Sequence, residues 1–140
     1  MDVENHADII DIIREKDTFA VKLGIEILEA SGGRSKVMMP LGEGTANSLG
    51  NVHGGAIFSI ADMALASAAN SEGMISVAIQ ANIHYMAPCV SEGILYASAE
   101  KTGETRKLGY FSVRVYKPDG TVVALVQAMV YRKGEWKPKG

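Results

Sequence analysis

The sequence predicts an α+β domain in which an antiparallel sheet curls around one central helix. Three observations support this expectation. First, Ala56 to Glu72 is an alanine-rich apolar stretch with no glycine or proline, closed by Gly73, and it reads as a helix of about four turns. Its side chains are mostly small, so a sheet can wrap it closely. Second, four strand-like segments follow, joined by short links, as in an antiparallel meander. Third, helices do not alternate with strands, which argues against a doubly wound parallel sheet.

Asn5 to Asp17 reads as a first helix, with Ile9, Ile10, Ile12 and Ile13 set among acids and Arg14. Phe19 to Ala30 reads as a strand, because Leu23, Ile25 and Ile27 alternate with polar or small neighbours. Ser31-Gly32-Gly33 is a turn, and Arg34 to Pro40 is a second strand that Pro40 ends. Leu41 to Val52 is a glycine-containing loop of about 12 residues, a length that in a compact domain often serves binding. Beyond the central helix, Ile75, Val77, Ile79, Ala81, Ile83 and Tyr85 alternate with Ser76, Ala78, Gln80, Asn82, His84 and Met86. That is a long strand, ended by Pro88. Glu92 to Lys101, Lys107 to Lys117 and Val122 to Arg132 complete the sheet. Thr102 to Arg106 reads as a hairpin tip and Lys117-Pro118-Asp119-Gly120 as a turn. With an N-terminal helix at about 1–18 and a flexible tail at 134–140, residues 1–140 are expected to form a single domain.

A chain of 140 residues can bury a real core, and its net charge of −2 gives no reason to expect a nucleic acid partner. No run of about 18 apolar residues suggests a membrane span, and the N-terminus lacks the pattern of a secretory signal. Cys89 is the only cysteine, which excludes an intrachain disulfide and a cysteine-cluster metal site. The expected compartment is the cytoplasm. No P-loop, dinucleotide fingerprint or His-Glu-x-x-His motif is present, and neither a metal nor a cofactor is expected. An exposed sheet edge would call for a dimer partner.

Two features of the central helix suggest chemistry. Asp62 is a lone acid in an apolar helix, which is unfavourable unless the group is paired, hydrogen-bonded or wet. His53-Gly54-Gly55 begins the helix, where free backbone N–H groups and a partial positive charge attract anions. Such donors suit the oxyanion that develops when a carbonyl is attacked. A partly buried carboxylate suits a general base, because burial raises its pKa toward working pH. Each feature also has a structural reading: Asp62 bonded across an interface, His53 as a helix cap, the glycines present for close packing. Cys89 reads as a passive loop residue and His84 as a solvent or interface residue.

The stretch Asn47-Ser-Leu-Gly-Asn-Val-His53-Gly54-Gly55, with Ile60-Ala61-Asp62 and the later Asn82-Ile83-His84-Tyr85-Met86-Ala87-Pro88, resembles the hot-dog-fold acyl-CoA thioesterases. The similarity is to the branch around the phenylacetate-degradation (PaaI-type) enzymes and a related human thioesterase, over about Phe19 to Lys133. It implies a central helix wrapped by an antiparallel sheet, a homodimer with active sites at its interface, and commonly a homotetramer. It implies hydrolysis of an acyl-CoA, with an aryl or short to medium acyl group, to free acid and coenzyme A. Coenzyme A is then part of the substrate and not a cofactor. By the same resemblance Gly54 donates to the oxyanion, and Asp62 of the facing subunit is general base or nucleophile. Asn47 positions water or substrate, and His53 orients the loop or touches the thioester. One departure stands out. The human enzyme has a serine in the strand after the helix, where this chain has Ala78, and Ser76 on the same face is the nearest substitute. Gly55, Met63 and Leu65 are expected beside the substrate. Arg106 and Lys107 at the hairpin, with Arg132 and Lys133, are candidates for the coenzyme A phosphates. The alternatives are a non-catalytic acyl-CoA or small-ligand binding protein of the same fold, and a 3-hydroxyacyl thioester dehydratase.

Overall fold

The computed structural model describes residues 3–137, with side-chain surroundings from Ile9 onward. The elements are α1 (Val3–Lys16), α2 (Thr18–Lys22), β1 (Glu26–Ser31), β2 (Arg34–Leu41), α3 (Gly54–Asn70), β3 (Met74–Tyr85), β4 (Gly93–Glu104), β5 (Leu108–Tyr116) and β6 (Val122–Glu135), with a single 3-10 turn at Glu43–Thr45. The strands form one six-stranded sheet in the order β1-β2-β4-β5-β6-β3. Every neighbouring pair is antiparallel. The expected curled sheet around a central helix is what the chain forms.

The inner sheet face presents Val37, Met39, Leu95, Ala97, Phe111, Val113 and Val115 to Ile60, Ala61, Ala64 and Ala68 of α3, all buried. Small residues on the helix let the sheet approach its backbone. The Ser35 hydroxyl of β2 donates to the Ala64 carbonyl at 2.6 Å, a contact that a bulky residue in its path would block. At the C-terminal end of α3 the Asn70 amide donates to Ser76 O at 3.2 Å and accepts from Ser76 N–H at 3.0 Å. Lys101 Nζ lies 2.7 Å from Glu72 and 2.9 Å from Glu104, and Arg132 joins the same two carboxylates. This end of the barrel-like wrap is closed by polar pairing.

Three expectations need correction. The stretch from Phe19 does not begin a strand: Thr18–Lys22 is a short helix, whose N-cap Asp17 accepts from Ala20 N–H at 3.1 Å. The alternation of Leu23, Ile25 and Ile27 reflects packing on the core, and β1 starts only at Glu26. Gly24, at φ +71°, turns the chain between them, where a Cβ would stand 2.8 Å from Pro40 Cγ. In β3 a register shift between Ala78 and Gln80 breaks the expected alternation. Val77 pairs with exposed Tyr131, whereas Ile83 pairs with buried Val126, so the two lie on opposite faces. Gly134 and Glu135, expected in the tail, belong to β6, and Trp136 packs against the core, its backbone N–H donating to Gly73 O at 2.7 Å. Residues 138–140 of that tail lie outside the described range.

Candidate active site

The helix start is built by the loop before it. Asn47 Oδ1 accepts from the N–H groups of Leu49 (2.9 Å) and Asn51 (3.1 Å), folding the loop on itself. His53 N–H donates to Thr45 O at 2.7 Å, and Val52 N–H to Cys89 O at 2.8 Å, which fixes the loop's exit. His53 is the N-cap of α3. Its Nδ1 accepts from Gly55 N–H at 2.9 Å, and its carbonyl accepts from Ala56 and Ile57. Three of the four donors that a helix start leaves over are thereby satisfied. The fourth, Gly54 N–H, makes no hydrogen bond among the described residues. Tyr85 of β3 donates its hydroxyl to Gly54 O at 3.0 Å and stands over the glycine, with Oη 3.3 Å from where a Cβ would be.

Asp62 lies eight residues further along α3, about 12 Å along the axis and roughly 80° around it. It is exposed in the single protomer and has no hydrogen-bond or ion-pair partner among the described residues. Although part of the side chain meets solvent, the protein atoms around it remove some of its hydration and push its carboxyl above the usual aspartate range, and the negative charge of Asp17 adds to the rise. Asp62 forms one wall of a cavity of about 250 Å3, with Phe19, Phe58, Ser59 and Met63 among the other walls. No motif in the sequence marks Asp17, Phe19 or Phe58 as part of a site. Asp17 and Phe19 are more than 40 positions from Asp62, and only the helix cap at Asp17, legible as a cap signal, points to where α2 turns. Tyr85 did carry a signal, as the first residue of the Tyr-x-x-Pro stretch.

The other expected residues fall in different places. Gly55 is exposed beside His53, and Met63 lines the cavity next to Asp62. Leu65 is buried in the core, with 2 % of its surface exposed. Ser76 sits at the C-terminal end of α3, its hydroxyl donating to Met74 O at 3.0 Å. Ala78 pairs with Val130 two residues on, just before the β3 register shift. Arg106 and Lys107 link β4 to β5, where Lys107 O accepts from Arg132 N–H at 2.8 Å. That is the end of Glu72 and Arg132, opposite the helix start across a 17-residue helix, a span of about 25 Å. Arg132 is engaged with Glu72 and Glu104. Within one protomer, therefore, His53, Gly54, Gly55 and Tyr85 come together, Asn47 braces the loop that leads to them, and Asp62 and Met63 form a second centre. No group of three His, Cys, Asp or Glu residues among those described could hold a metal ion, and no described helix is long and apolar enough to cross a membrane.

A helix-start donor, a helix carboxylate and a sheet curled around that helix define the hot-dog class of thioester-processing proteins. Residues 49–124 match the family described as the thioesterase superfamily, and the chain belongs to that family. It is 33 % identical over 125 residues to a putative esterase of Archaeoglobus fulgidus, covering 89 % of this chain and 81 % of the relative. It is 31 % identical over 120 residues to the acyl-coenzyme A thioesterase PaaI of Escherichia coli, covering 86 % of each. The solved structure of the E. coli PaaI protein, from the phenylacetic acid degradation operon, superposes with a TM-score of 0.89 at 28 % identity, covering 96 % of this chain and 97 % of that one. The expected hot-dog fold and thioesterase membership both hold, and thioester hydrolysis stands ahead of the binding-protein and dehydratase readings.

Proposed function

We propose that this chain hydrolyses acyl-CoA thioesters at sites shared by two protomers of a homodimer, with Gly54 N–H from one and Asp62 from the other. The observation that carries the proposal is the pair of unpartnered groups on one helix. They are about 12 Å apart along the axis, so a single protomer cannot bring both to one carbonyl. A second copy can supply the missing half, and the exposed apolar side chains of the edge strand β3, Val77 and Ile79, give it a surface to join. Dimers pairing again would give a homotetramer. The name of the E. coli relative, an acyl-coenzyme A thioesterase, supports coenzyme A as the leaving group. The acyl group is aryl or short to medium in length. A single cysteine, Cys89, kept as a buried free thiol, fits a cytoplasmic setting.

In the reaction, Asp62 takes a proton from water as the water oxygen bonds to the thioester carbonyl carbon. Gly54 N–H, at the positive end of α3, holds the oxyanion. Collapse of the intermediate breaks the carbon–sulfur bond, and Asp62 returns its proton to the departing thiolate. The products are a carboxylic acid and coenzyme A. The Asn47 amide NH2, which makes no hydrogen bond among the described residues, is free to hold the water, and His53 keeps the helix start in place. Arg106 and Lys107 reach the coenzyme A phosphates only from another protomer. The test is thiol release from a panel of acyl-CoAs by the native protein and by Asp62→Ala, with the size of the protein in solution measured alongside. Turnover of an aryl or medium-chain substrate, a fall of at least about a hundredfold in the variant and a dimer or larger assembly are expected. Binding without thiol release from any substrate would favour the binding-protein reading and make Ala78→Ser the next variant.

A further inference from the structure

We infer that Met63 sets the acyl length this protein accepts, by dividing the apolar space beside Asp62 into two chambers. The inference rests on the hydrolase reading above. The chamber of about 250 Å3 has Asp62 in its wall and the rings of Phe19 and Phe58 beside it. A second chamber, of about 320 Å3, lies behind α2 and is lined by Ile13, Val21 and Ile27. The two share three wall residues: Ala20, Ile25 and Met63. Of these, Ala20 is too small to partition anything, and Ile25 is stiff at its branched Cβ. Met63 follows Asp62 directly on α3, is 5 % exposed, and is unbranched with three rotatable bonds. It is therefore the movable part of the wall.

An acyl group whose carbonyl lies against Asp62 projects into the first chamber, and its far end meets Met63. Alone, that chamber is below the roughly 300–1,000 Å3 of ordinary ligand pockets, so it suits a compact group such as a single aromatic ring or a short chain. The second chamber suits the tail of a longer one. Its one cation is already committed: Arg14 pairs with Asp11 at 3.0 Å and donates to Ile27 O at 3.1 Å. Nothing there favours a second carboxylate, so the longer substrate is a plain hydrocarbon acyl group and not a dicarboxylic one.

The experiment is the kcat/KM profile over straight-chain acyl-CoAs from acetyl to dodecanoyl, with phenylacetyl-CoA as the compact reference. It is read for the native protein, Met63→Ala and Ala20→Leu. Met63→Ala should raise the decanoyl-to-butanoyl and decanoyl-to-phenylacetyl ratios by at least about tenfold, the size expected when a pocket gains or loses contact with a few methylenes. Ala20→Leu narrows the same wall and should move the ratios the other way, so the inference stays testable if Met63→Ala folds poorly. Hydrolysis by native protein with the same ratios in the folded variants overturns the inference and leaves the hydrolase reading standing. Thiol release from no member of the series overturns both.

Discussion

Replacing Gly54 with proline would remove one hydrogen-bond donor with little other change to the helix. Gly54 is the first residue of α3, the position where proline is best tolerated, because the N–H it lacks has no partner inside the helix. The residue before a proline must be extended, and His53 already is, at φ −60° and ψ 137°. The obstacle is Tyr85, whose Oη and Cζ would lie 3.3 and 3.4 Å from the new Cβ. That ring is 54 % exposed and has room to move outward by a few tenths of an ångström. Gly54→Ala is the matched control, since it adds the same Cβ and keeps the N–H. Loss of an oxyanion donor typically removes about 2.7–4 kcal/mol of transition-state stabilisation, or about 100- to 1,000-fold in kcat. Steady-state thiol release should therefore show Gly54→Ala within about fivefold of native and Gly54→Pro lower than Gly54→Ala by about two to three orders of magnitude. Thermal unfolding should show both folded. Equal kcat in the two folded variants would refute the oxyanion role of Gly54.

Three further outcomes follow from the geometry. His53→Ala removes the side-chain acceptor of Gly55 N–H and should cost about 1 kcal/mol, read as a Tm lower by a few degrees. His53→Asn restores the cap and should recover both Tm and rate; recovery of Tm alone would mean that the imidazole takes part in the chemistry. Because burial and Asp17 raise the Asp62 pKa, the base is protonated and the rate falls as pH drops through that raised value. Asp17→Asn, which keeps the α2 cap, should move this limb of the pH–rate profile to lower pH. The sign for stability is the reverse of the usual carboxylate case. The folded state binds the Asp62 proton more tightly than the unfolded chain, so stability is lost as pH rises from 3.8 through the raised value. Asp62→Asn should then raise Tm at neutral pH, with the gain vanishing in acid. Asn70→Ala strands the buried N–H of Ser76 and should lower stability by about 1–3 kcal/mol in urea unfolding without changing KM.

Much of this molecule could be read from its sequence where local pattern and tertiary role agree. The alanine-rich stretch marks α3 to within two residues at each end, because alanine is the best helix former and no glycine or proline interrupts it. The alternation in Phe111, Val113 and Val115 gave β5 for the same reason. A local pattern misleads where it serves a non-local purpose. Leu23, Ile25 and Ile27 alternate but only the last is in a strand, since α2 intervenes and Gly24 turns the chain. Val77 and Ile83 look like one face of β3 until the register shift separates them. In the site, the motif marks Gly54, His53 and Asp62 through their spacing. It is silent on Asp17, Phe19 and Phe58, which reach Asp62 by packing across the fold. Arg106 and Lys107 carry charge suited to phosphate, but no pattern in a linear chain reveals that their hairpin lies at the opposite end of α3 from Gly54.

The shared site is tested most directly by mixing two inactive variants, Asp62→Ala and Gly54→Pro, under conditions that let subunits exchange. If Gly54 and Asp62 act from different protomers, a mixed dimer holds one site with both groups intact and one with neither. Random pairing of equal amounts makes half the dimers mixed, so activity should return to about a quarter of the native value per protomer. If both groups acted from the same protomer, every site in the mixture would still carry one lesion. Activity would then remain at the level of the separate variants, which would contradict the account.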